Sequence, residues 1–116
     1  MARQGTTPII TLDVPVNFDG CNVYVTVDQD GTQVTKASRD ENSGIEITKH
    51  YKEDGVTFDY SSVAMYLTQA ETLGFEVGQA RTQIRWVNYL NEAQATDIGT
   101  FTIDESLYKE VIDYGN

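Results

Sequence analysis

The sequence predicts an all-β domain, and three observations carry that prediction. Apolar and polar residues alternate with a period of two along most of the 116 residues, as strands with one buried face require. The alternating runs are short and end in Gly, Asp and Asn, residues whose backbones and side chains favour turns. A helix-start pattern stands at Thr68-Gln69-Ala70-Glu71, with room for a single turn before Gly74.

Taken in order, Ile10, Leu12 and Val14 share one face of a first strand that Pro15 ends. Val23, Val25 and Val27 form the apolar face of a second, with Asn22, Tyr24 and Thr26 opposite, and Asp30-Gly31 turns the chain into a partner over Thr32 to Lys36. Ala37 to Gly44 is polar and turn-rich and reads as a flexible loop before an alternating segment with Ile45 and Ile47. A turn at Asp54-Gly55 leads to Val56, Phe58 and Tyr60 on one face. Val63, Met65 and Leu67 then alternate with Ala64, Tyr66 and Thr68, so this region is expected to give two strands.

In the short helix, near residues 69–73, the Thr68 hydroxyl accepts from the backbone three residues on while Glu71 reaches back. Gly74 ends it in the left-handed conformation that glycine tolerates. Ala80 to Leu90 is the longest alternating run and the expected central strand, with Ile84 and Trp86 on one face and Arg81, Gln83 and Arg85 on the other. Its expected partner is Thr96 to Ile103, with a bulge at Gly99 where the apolar phase shifts from Ile98 to Phe101. Residues 1–103 thus read as one sandwich domain. Residues 104–116 read as an acidic segment with a docking role, carrying Leu107, Val111 and Ile112 at helix-like spacing. About seven short strands with frequent turns match a two-sheet antiparallel β-sandwich of immunoglobulin-like type, a small closed barrel being the alternative.

Composition narrows the function. Eighteen acidic and eight basic side chains give a net charge of −10. Nine acids and five bases lie in residues 1–58 and nine acids and three bases in residues 59–116, so no basic half is hidden. Such a chain repels phosphate backbones and anionic bilayers, which excludes nucleic acid and membrane as expected partners. Cys21 is the only cysteine, so neither an internal disulfide nor a multi-thiolate zinc site can form, and a free thiol fits a reducing compartment. The polar first residues and the lack of a long apolar run predict a soluble chain made in the cytoplasm.

The chemistry-bearing residues are few. His50, the only histidine, lies between Lys49 and Tyr51 beside a turn and reads as a surface residue rather than a general base. Asp28, Asp30 and Gly31 imitate a fragment of a calcium loop but lack its later ligands, so a hairpin turn is the simpler reading. No phosphate-binding loop or cofactor fingerprint occurs, and the sequence implies no cofactor, no metal and no enzyme activity. Contact residues are better candidates. Tyr24, Tyr66 and Tyr89 fall on the polar phase of their strands, whereas Phe58, Trp86 and Phe101 fall on the apolar phase. Arg81 and Arg85 share one strand face and either pair with neighbouring acids or receive an acidic partner.

Three stretches together carry a family resemblance. They are Arg3-Gln4-Gly5-Thr6-Thr7-Pro8, Leu67-Thr68-Gln69-Ala70-Glu71-Thr72-Leu73-Gly74-Phe75 before Gly78, and Gln83-Ile84-Arg85-Trp86 followed by Thr96 to Phe101. They resemble small tail-associated proteins of phages and prophages of Gram-positive bacteria, similar to the immunoglobulin-like N-terminal domain of phage baseplate upper proteins. Asn42 to Tyr60 is longer than that pattern. The resemblance implies a virion component made in the bacterial cytoplasm, which docks on other tail or baseplate subunits and on copies of itself and carries no catalytic residues. The expected contacts are Tyr24, Tyr66, Tyr89, Arg81, Arg85, Leu107 and Val111. The main rival is a glycan-binding sandwich with stacking tyrosines and Ca²⁺ near Asp28 and Asp30. An acidic mimic of DNA is disfavoured because Lys49, Lys52, Arg81 and Arg85 interrupt the acids.

Overall fold

The computed structural model describes residues 2–107 and 109–112. Among these residues nine strands build two sheets, with one short helix between β6 and β7: β1 (Ala2–Arg3), β2 (Ile9–Val14), β3 (Asn22–Gln29), β4 (Thr32–Ala37), β5 (Ile45–Tyr51), β6 (Phe58–Tyr66), α1 (Gln69–Leu73), β7 (Gly78–Val87), β8 (Ala93–Ala95) and β9 (Gly99–Asp104). The larger sheet runs β1-β9-β7-β3-β4, with β8 also on β7, and the smaller runs β2-β6-β5. All pairings are antiparallel except β1 with β9. The architecture is an all-β sandwich.

The period of two explains how the layers meet. Val23, Val25 and Val27 of β3 and Ala80, Ile84 and Trp86 of β7 point inward from the larger sheet, and Val63 and Met65 of β6 answer from the smaller one. Phe18, from the β2–β3 connection, closes the core with its ring edge-on to Trp86, centroids 5.2 Å apart at 77°. Burying aromatic and β-branched side chains at this density supplies the main driving force for association of the layers. β7 is central as expected, pairing with β3, β8 and β9.

Four sequence expectations change. First, Phe58 to Tyr66 is one continuous strand, not two. Ser61 takes an inward, fully buried position, and its hydroxyl is satisfied by the Val16 carbonyl at 2.7 Å. Tyr60 therefore lies on the outer face, stacked with its partner His50, while a register shift between His50 and Tyr51 sets Phe58 opposite Tyr51, half-buried and outside the core. Second, the irregularity near Gly99 lies earlier. β7 advances three residues between its partners Ala95 and Gly99 while the other chain advances four, which places the extra residue in Thr96–Ile98. Thr96 keeps the ladder joined, its N–H donating to the Ile84 carbonyl and its hydroxyl accepting the Ile84 N–H. Third, Gly74 caps α1 in a right-handed conformation, φ −74°, whereas the Thr68–Glu71 capping box forms as expected. Fourth, β1 is a strand with no periodic signal, seated parallel to the end of β9.

The described residues beyond Asp104 form neither helix nor strand, so the helix-like spacing of Leu107, Val111 and Ile112 does not become a helix there. Side-chain bonds hold the segment to the domain. Ser106 donates to the Gln4 carbonyl, Lys109 donates to Gln4 Oε1, and Gln69 exchanges two bonds with the Ile112 backbone. Tyr108 and residues 113–116 of the proposed docking segment lie outside the described residues.

Candidate functional site

The outer face of the larger sheet gathers three of the seven predicted contact residues, Tyr24, Arg81 and Arg85. Inward valines on β3 force Tyr24, Thr26 and Asp28 outward, and the register sets them opposite Arg85, Gln83 and Arg81 of β7. On the other side, Thr26 faces Thr35 and Asp28 faces Gln33 of β4. The face is thus a set of cross-strand rows whose polar groups are satisfied to different degrees.

The Asp28 row is closed. Arg81 donates to one Asp28 carboxylate oxygen at 2.6 Å and Gln33 to the other at 3.1 Å. The Arg81 guanidinium, with Gln33 beside it, holds the Asp28 carboxyl below its ordinary range, and Asp28 in turn raises Arg81. A cation at the Asp28–Asp30 turn would have to displace Arg81, so this geometry counts against the calcium-loop alternative. In the next row the Thr26 and Thr35 hydroxyls bond one another at 2.9 Å.

The Tyr24 row is open. Tyr24 and Arg85 are direct cross-strand partners and, with Thr26, Thr35, Val87 and Ala93, line a groove of about 430 Å³. The Arg39 guanidinium, from the β4–β5 loop, lies over the Tyr24 ring, 5.5 Å from its centroid. Among the described residues the Arg85 side chain makes neither a hydrogen bond nor an ion pair, in contrast to Arg3, Arg39 and Arg81.

The other predicted contacts lie elsewhere. Tyr66 is on the outer face of the smaller sheet, where its hydroxyl donates to Glu46 at 2.9 Å and the carboxylate raises the phenol. It shares a shallow depression with Val111, Lys36 and Leu67. Tyr89 is not on a strand but in the β7–β8 turn, 85% exposed. Leu107 stands on the C-terminal segment, 93% exposed. The structure therefore joins Tyr24 with Arg85, and Tyr66 with Val111, while Arg81 shares the first face but is held by Asp28.

A second polar cluster crosses the smaller sheet. His50 stacks on Tyr60 with ring centroids 4.4 Å apart, its Nε2 is 2.9 Å from Ser62 Oγ, and Ser62 donates to Asp13 at 2.7 Å. The order of these groups is wrong for an activated serine. The Ser62 proton goes to the carboxylate, so Nε2 is the donor to Ser62 and cannot also accept its proton. Among the described residues no group of three or more His, Cys, Asp or Glu side chains is placed to hold a metal ion.

Arg39 escaped the sequence reading because it sits in a polar loop, and only the folded register reveals its contact with Tyr24. Comparison with protein-family models, curated proteins and solved structures finds no match for this chain.

Proposed function

We propose that this chain is a non-enzymatic structural protein of a phage or prophage, a tail or baseplate component with an immunoglobulin-like sandwich that acts through protein–protein contacts. The observation that carries the reading is the open Tyr24–Arg85 row beside two self-satisfied rows on one sheet face. A β-sheet face with a half-buried tyrosine beside an exposed arginine has the residue types that dominate contact energies at protein interfaces. The sequence resemblance supplies the setting, the virion, with synthesis in the bacterial cytoplasm. The net charge of −10 favours a free subunit that stays dispersed until assembly.

The test is particle composition. Phage particles purified from an induced culture of the bacterium that encodes this chain are expected to contain it at a fixed copy number, with immunogold label on the tail or its tip. Its recovery only in the soluble fraction, from cells that release intact particles, would sink the reading. The glycan-binding alternative draws support from the Tyr24 ring at the wall of the groove. A glycan-array signal that disappears in Tyr24→Ala would move the assignment to that class.

A further inference from the structure

We infer that the Tyr24–Arg85 groove receives an acidic segment of a partner protein, a carboxylate seated between the Arg85 and Arg39 guanidinia with a neighbouring apolar side chain against Val87 and Ala93. The inference rests on the contact role proposed above and names the chemistry of the occupant.

Charge complementarity carries it. The chain has 18 carboxylates against 8 basic groups, yet none of the residues lining the groove is acidic. The neighbouring depression, lined by Arg85, Ala93, Gln94 and Ala95, has no acid either. Three other cations on the sheets are engaged, Lys36 with Glu71, Lys49 with Asp19 and Arg81 with Asp28, while Lys52 stands in the β5–β6 connection, away from the groove. Arg39 has only a loose contact with Asp40, 3.8 Å, both side chains being more than half exposed. Tyr24 is thus flanked by two arginines, Arg39 with its guanidinium over the ring and Arg85 as the cross-strand neighbour in the groove lining, neither with a full carboxylate partner among the described residues.

Guanidinium presents a planar fork of donors that matches a carboxylate, and a ring beneath it fixes the plane of that fork. Val87 and Ala93 add a small apolar wall. The overall charge argues for a protein segment over a polyanion. A nucleic acid would bring many phosphates against a surface of net charge −10, whereas one or two carboxylates meet only the local cationic patch.

The test uses the isolated chain, so its outcome is independent of particle composition. The ¹⁵N-labelled protein is titrated with the peptide acetyl-Gly-Glu-Phe-Asp-Gly-amide and with its Gln/Asn twin, each to about 10 mM, a range that captures millimolar affinity. The acidic peptide is expected to shift the amides of Tyr24, Thr35, Val87 and Ala93 and the Arg85 Nε–H. The twin should bind about tenfold more weakly, and the acidic response should shrink with added salt. Arg85→Ala should remove the response with the remaining spectrum unchanged, and Arg85→Lys should keep part of it. Equal response to both peptides, shifts centred elsewhere, no shifts at all, or an unaltered response in Arg85→Ala would overturn the inference.

Discussion

The two flanks of the sandwich are sealed in different ways. On the flank that carries β4 and β5, polar groups span the layers. Lys36 of β4 donates to the Tyr66 carbonyl of β6 at 2.6 Å and pairs with Glu71 at 3.0 Å. On the opposite flank, Ile9 to Leu12 of β2 face Gly99 to Phe101 of β9 across a cleft of about 210 Å³, and no hydrogen bond joins these strands among the described residues. Thr82 lines that cleft, 4% exposed, and its hydroxyl is the one buried side-chain polar atom without a partner among the described residues. The contrast teaches that a sandwich can leave one side without hydrogen bonds between its facing strands, at the cost of stranding a polar atom, when the other side is fastened by directional bonds.

Substitutions on each flank should separate these two modes. The largest effect is expected from Gly44→Ala. Gly44 has φ +73°, where a side chain is disfavoured, and an added Cβ would lie 2.9 Å from Lys36 Cδ, a side chain already fixed at its far end. A loss of about 2 kcal/mol is expected in urea unfolding. Lys36→Ala should cost about 1–2 kcal/mol through the lost bonds to the Tyr66 carbonyl and Glu71. The double variant should cost less than the sum, because the clash disappears with the lysine. Strict additivity would show that Gly44 acts through backbone conformation alone.

The open flank should respond in the opposite direction. Thr82→Val removes the stranded hydroxyl and preserves the branched shape, so stability should rise by about 1 kcal/mol, roughly 4 °C in Tm by calorimetry. A fall in Tm would mean that the hydroxyl is bonded in solution.

The smallest effect is a change with acidity. Partial burial pushes the Glu71 carboxyl up, but the Thr68 backbone N–H and Lys36 together hold it below its ordinary value. A depressed carboxylate contributes stability above its unfolded pKa, and the contribution fades as the pH falls through the folded one. Glu71→Gln should therefore flatten part of the decline in the urea midpoint between about pH 5 and about pH 3, with Asp28 and Asp54, also lowered, accounting for the rest. An unchanged acid profile would remove Glu71 from the fastening.

What could be read from the sequence follows the same division between repeating and singular interactions. The inward faces of β3 and β7 and the Thr68–Glu71 cap were legible because periodicity and capping are local. The continuity of β6 was not, since a buried serine breaks the apolar phase and its compensation comes from Val16, 45 residues away. Tyr24 and Arg85 were each legible as outward residues. Their pairing depends on the β3–β7 register, and the approach of Arg39 on a loop with no pattern of its own. Thr82 was hidden in plain alternation, because threonine at an inward strand position gives no sign of whether its hydroxyl finds an acceptor.

The place of β7 at the centre of the larger sheet also orders events during synthesis. The β3–β4 hairpin can form as soon as it leaves the ribosome, but Asp28 waits for Arg81, 53 residues downstream. At an elongation rate of about 5–20 residues per second that delay is roughly 3–10 s. Throughout it Val23, Val25 and Val27 lack the strand that will cover one side of them. Sequence-distant pairing of this kind makes for slow folding, and the nascent hairpin with its bare valine row is the species a chaperone would meet first.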